Sequence, residues 1–189
     1  MNIKQAIAFK PGLAGLMLLM AATRFHHFGT AFSLPDASLA VFFLAGFWQG
    51  GRYVLAALLL EAGLIDYVAI TQLGVSDFCI SPAYVFLIPS YALLWLAGQF
   101  SSKLPITSAQ NAAKALTGLV VAATGAFFIS NTSFYLLSDQ VANISWSQYL
   151  HGFSLYYPSY LSVALFYSLS IIGLVKLLKW LLTPVRQAI

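Results

Sequence analysis

Of 189 residues, 60% are hydrophobic and only 7% are charged, and nine basic against five acidic side chains give a net charge of +4. A soluble domain carries roughly 25% charged residues, so this composition excludes an ordinary water-soluble fold, and the length of the apolar runs identifies a membrane protein. No basic, aromatic-interleaved stripe is present, which excludes a nucleic-acid partner and leaves the lipid bilayer as the chain's surroundings.

In chain order, six apolar stretches read as transmembrane helices, over roughly 9–24, 38–51, 53–73, 82–99, 114–136 and 154–175. The fold class is therefore an all-α membrane protein with a single transmembrane domain over residues 1–189. The first two stretches are the weakest: Lys10, Pro11 and Gly12 interrupt one, and the other is short of the ~20 residues a spanning helix needs. Cytoplasmic loops collect Lys and Arg. Lys4 and Lys10 precede the first span, Arg52 lies between the second and third, Lys103 and Lys114 between the fourth and fifth, and Lys176, Lys179 and Arg186 follow the sixth. Only Arg24 falls on the other side, so the charges predict six transmembrane helices with both termini cytoplasmic. Lys4, Lys10, the apolar Leu13 to Met20 and Ala21-Ala22 also follow the order of a signal peptide. Its removal would leave five spans and put the termini on opposite sides.

This topology gathers the unusual residues on the extracytoplasmic side: Arg24-Phe25-His26-His27-Phe28, then Asp77-Phe78-Cys79, then a long segment 137–153 with Asp139, Trp146, Tyr149 and His151. Histidine and aromatic rings anchor comfortably at a water interface, and a ligand-binding role for at least one histidine stands beside that reading. Cys79 is the only thiol. It has no intrachain disulfide partner, so packing, metal ligation and thiolate chemistry are its uses. Ser81-Pro82 has the order of a cap and first turn, so the fourth helix should begin there. Cys79 then stands just before a helix N-terminus, where the aligned peptide dipoles favour thiolate over thiol. Tyr84 lies one turn into that helix, and Pro89 frees the carbonyl of Val85 and bends it.

The third span carries Glu61 and Asp66, and ionisable residues at membrane depth point by default to a functional site or a buried partner. At ~100° per residue the two face directions about 140° apart, so they are not a paired-carboxylate site. Asp66 lies about two turns from the outer end and reads as a pocket residue. Glu61, near mid-membrane, reads as a structural or partner-contact residue that could meet Arg52 by partial snorkelling. The chain has no phosphate-binding Gly-x-x-x-x-Gly-Lys loop, Gly-x-Ser-x-Gly, His-Glu-x-x-His or multi-cysteine zinc spacing. A six-helix protein with an outward pocket and no motor reads best as a substrate-binding membrane subunit. Two rival readings are a redox protein holding haem through His26 or His27 with His151, and a purely structural membrane subunit.

Three runs, Thr23-Arg24-Phe25-His26-His27-Phe28, residues 33–47 (Ser33-Leu34-Pro35-Asp36 through Gly46-Phe47), and Asp77-Phe78-Cys79-Ile80-Ser81-Pro82-Ala83-Tyr84, together resemble the BtuM family. Its members are small bacterial inner-membrane proteins of vitamin B12 uptake, similar to the substrate-binding S components of energy-coupling factor (ECF) transporters. The resemblance implies an S-component-like bundle, an extracytoplasmic pocket for cobalamin or a related corrinoid, and Cys79 as the residue that meets the cobalt. A thiolate is a soft, strongly donating ligand suited to an axial position. On this reading Cys79 displaces the nucleotide base or cyanide and assists reductive decyanation of cyanocobalamin. His27 or His26 lies against the opposite axial face or the ring edge, and Asp66, Phe78, Tyr84 and aromatic residues of 146–160 contact the macrocycle. S components often carry Ala-x-x-x-Ala on the first helix for docking to the energising subunit, and this chain offers Ala8 with Gly12. Coupling to that subunit and its ATPases, and a solitary mode without them, both stay open.

Overall fold

The structure, a computed structural model, describes residues 11–25, 34–78, 80–105 and 108–182. Among them there is no strand. The helices are α1 (Pro11–Arg24), α2 (Ser38–Trp48), α3 (Arg52–Leu73), α4 (Leu87–Ser102), α5 (Ala109–Leu137) and α6 (Trp146–Leu182), with 3₁₀ turns at Pro82–Phe86 and Asp139–Val141. Four helical segments are long and apolar enough to cross a membrane: α3, Pro82–Ser102, α5 and α6.

The two weak stretches of the sequence become α1 and α2, at 14 and 11 residues. Every residue from Ser38 to Gly46 is buried. A helix that is apolar all round belongs inside a bundle, and α2 is the central helix, packed most extensively on α4 and also touching α1, α3 and α6. The α2/α4 contact is made by backbone. A Cβ on Gly46 would collide with the Trp95 carbonyl oxygen, and one on Gly98 with the Phe43 carbonyl oxygen. Small residues at a crossing let two membrane helices approach this closely.

Phe42 and Tyr91 stack across the same interface at 4.2 Å between ring centroids. The irregular residues leading into α2 are satisfied by side chains: the Ala37 amide donates to Thr23 Oγ1 (3.1 Å), the Ser38 amide to Asp36 Oδ1 (2.9 Å), and Tyr167 Oη donates to the Pro35 carbonyl (2.8 Å). Non-helical backbone survives at membrane depth only when it is satisfied in this way inside the protein.

The fourth helix begins where Ser81-Pro82 places it, with Ser81 Oγ accepting from the Ala83 amide (3.3 Å), but its first turn is 3₁₀ and the α geometry starts at Leu87. Pro89 sits in that first α turn, so its missing N–H falls at a helix start.

Two helix starts differ from expectation, and α6 also reaches Leu182 rather than 175. α5 begins at Ala109 rather than 114 because Ser108 Oγ accepts from the Asn111 amide (3.2 Å). α6 begins at Trp146 rather than 154. Its start is a capping box: the Gln148 amide donates to Ser145 Oγ (3.3 Å), while Gln148 Oε1 accepts from the Ser145 amide (2.8 Å). The expected long outer segment 137–153 is therefore a short connection, and Tyr149 and His151 are helical. At 37 residues α6 is about 55 Å long and exceeds the ~30 Å hydrocarbon core.

Candidate functional site

The site is built around the end of α1. Arg24 is the last residue of that helix and is 2% exposed. A buried guanidinium needs acceptors for its fork of donors, and four side chains supply them. Asp66 of α3 is engaged bidentately, by Nε to Oδ1 at 2.8 Å and Nη2 to Oδ2 at 2.7 Å. Nη1 lies 3.1 Å from Asp36 Oδ2, 2.9 Å from Ser38 Oγ and 2.7 Å from Tyr91 Oη. Ser38 Oγ donates in turn to Asp36 Oδ1 (2.6 Å), and Tyr84 Oη donates to Asp66 Oδ2 (2.6 Å). One cation thus ties α1, the approach to α2, α3, and both the 3₁₀ start and the body of α4.

The network is recessed. Asp66 lies seven residues before the end of α3, about 10 Å along the axis, and Tyr91 nine residues inside Pro82. Gly74, at φ +67°, ends α3 in the left-handed conformation that favours glycine and turns the chain into 75–78. There the Phe78 amide donates to Ser76 Oγ (3.2 Å), and the Ile80 amide donates to the Asp77 carbonyl (2.7 Å). Phe78 is 45% exposed and its ring tilts against Phe134 of α5 at 5.7 Å.

Beyond Phe134 an aromatic ladder runs between α5 and α6. Tyr135 stacks on Tyr149 at 4.4 Å, Phe127 meets Phe153 edge-on at 4.7 Å, and Phe153 stacks on Tyr157 at 6.1 Å. The Tyr149 and Tyr157 hydroxyls are each 2.7 Å from a threonine of α5, Thr132 and Thr124. At the top of this hairpin lies an open crevice of about 560 Å³ lined by Tyr135, Asp139, Ile144 and Trp146 among others. Neither Asp66 nor Tyr84 lines it.

Of the residues singled out from sequence, Asp66 and Tyr84 are hydrogen-bonded to each other. Phe78 lies on the segment that joins their helices and packs on α5. His26, His27, Cys79 and Ala8 lie outside the described residues. His151 is exposed on the second turn of α6. Glu61 does not meet Arg52, whose Nη2 donates to Tyr53 Oη (3.2 Å); its Oε2 atom is buried with no hydrogen-bond partner among the described residues.

Sequence reasoning missed Arg24, Asp36, Ser38 and Tyr91. The available signal was the one basic residue on the acidic side of the charge pattern: an ionisable group at a helix end buried in lipid must find a counter-charge, and Asp66 was the acid at matching depth.

No protein-family model matches this chain, and no curated protein matches it.

Proposed function

We propose that this chain is a bacterial inner-membrane protein of six spans, with both termini cytoplasmic, that binds cobalamin on its outer side for uptake. One observation carries the reading: Asp66 and Tyr84, expected from sequence to line a pocket, form one hydrogen-bonded unit with Arg24, recessed below the outer ends of α3 and α4. The segment that carries Cys79 starts at the end of α3 and runs into the capped turn holding Tyr84. A few convergent polar groups set among aromatic and aliphatic side chains are among the makings of a small-molecule site.

Six spans are compatible with the short α2. Eleven helical residues cover about 16 Å, and the satisfied irregular residues on either side lengthen its reach inside the bundle.

In this reading the Cys79 thiolate occupies an axial position of the substrate's cobalt. Decyanation would take cyanocobalamin from Co(III) to Co(II), with cyanide leaving as the anion and one electron coming from an external thiol reductant. His26 or His27 stands at the opposite face or the ring edge. Docking to an ECF energising subunit with its ATPases belongs to the same proposal.

The test is the visible absorption spectrum of protein purified from cells given cyanocobalamin, wild type beside Cys79→Ala. The expected result is a bound corrinoid whose spectrum differs between the two. A folded but colourless wild-type protein overturns corrinoid binding, an unchanged spectrum and affinity in Cys79→Ala overturn cobalt ligation, and cyanide removal by Cys79→Ser overturns the chemical step alone.

A further inference from the structure

Tyr84 has one proton to give, and the structure fixes where it goes. Arg24 holds Asp66 through two charge-assisted hydrogen bonds, at 2.8 and 2.7 Å, in a site where both residues are 2% exposed. A carboxylate held in this way is ionised and can only accept. Tyr84 Oη lies 2.6 Å from Asp66 Oδ2 and must be the donor in that contact. Its proton is committed, and only its oxygen lone pairs remain. Tyr91 is in the opposite state: it accepts from Arg24 at 2.7 Å, so its proton is the part of the hydroxyl left to give, but it is 6% exposed and packed flat on Phe42. Tyr84 is half-buried, so of the two tyrosines it is the one closer to the surface.

Building on the cobalamin reading, we infer that the Arg24–Asp66 pair makes Tyr84 an obligate hydrogen-bond acceptor that selects a ligand N–H donor, the primary amide of a corrinoid side chain, over the corresponding carboxylate. An amide offers N–H to the waiting lone pairs. A carboxylate offers only lone pairs of its own, and Tyr84 has no proton with which to meet them. A site whose polar groups are oriented for one partner rejects the mismatched analogue because its own groups are then left unpaired. Arg24 is the positioning residue, acting on the ligand only through Asp66 and Tyr84.

The experiment is a spectral titration of detergent-purified protein with cyanocobalamin and with each of its singly hydrolysed monocarboxylic acids, for wild type and Tyr84→Phe. Wild type is expected to bind cyanocobalamin on the order of tenfold more tightly than at least one of the acids. Tyr84→Phe should bring that ratio close to one by weakening cyanocobalamin, with affinity for the acid unchanged or raised. A general defect in folding or packing would weaken both ligands together.

Equal wild-type affinities for cyanocobalamin and every acid overturn the inference, and so does a ratio that survives Tyr84→Phe. The wild-type ratio needs no variant, and a ratio of one overturns the inference even where Tyr84→Phe does not fold. Wild-type protein that binds no corrinoid of either kind overturns the uptake reading, and this inference with it.

Discussion

Arg24 shows how much a single side chain carries in a chain this poor in charge. Two carboxylates, two hydroxyls and one guanidinium are drawn together below the surface, and each ion would be costly to bury alone. Removing one member of such a pair strands the other, so Arg24→Ala should cost about 3–5 kcal/mol, read as a lowered unfolding midpoint in detergent. Arg24→Met combined with Asp66→Leu should cost less than Arg24→Met alone, because the double variant leaves Asp66 no charge to strand; a double-variant loss equal to the sum of the single losses would show that the pair is not coupled. Asp66 was recognisable in the sequence as an acid at membrane depth and Tyr84 as a residue of the capped turn. That one accepts a hydrogen bond from the other was not, because eighteen residues and a chain reversal separate them. Asp36 and Ser38 were not recognisable as partners of Arg24, since polar residues at a helix start usually serve that start, and here Asp36 does both.

Helices α2 and α4 owe their close crossing to Gly46 and Gly98, each facing the other helix's carbonyl oxygens. Gly98→Ala must push the helices apart and loosen the Phe42–Tyr91 stack above them, at about 1–3 kcal/mol. Gly63→Ala on α3 is the matched control. Its Cβ meets nothing within 4 Å, and replacing a helical glycine by alanine should gain up to ~1 kcal/mol. Thermal unfolding of the two variants side by side checks the contrast, and equal midpoints would mean that the crossing tolerates a methyl group. At this scale the helix centres were readable from hydropathy, whereas the starts of α5 and α6 were not. Both are set by capping side chains, Ser108 and the Ser145/Gln148 pair, in polar stretches that read as loop.

Over the whole molecule the helices run so that Arg24, Asp36, Asp66 and Tyr84 meet at one end, while Arg52 and Lys103 lie at the far ends of α3 and α4. The proposed orientation predicts that single cysteines placed in a Cys79→Ala background at the exposed positions Ser76 and Gln140 react with a membrane-impermeant maleimide in intact spheroplasts. A cysteine at Ser102 should react only after permeabilisation. The reverse pattern would invert the orientation and place the recess on the cytoplasmic side.

The sequence by itself determined that this protein is built of apolar helical segments and where the centres of six of them lie. Hydropathy and charge act through the bilayer, which sees each segment separately and needs no knowledge of its neighbours. Only the tertiary structure decided that the short second segment is the buried centre of the bundle, that a lone arginine is its main polar tie, and which way the proton of Tyr84 points. Those depend on which helices touch and at what depth, and contacts between residues far apart in the chain are set by packing rather than by the local pattern.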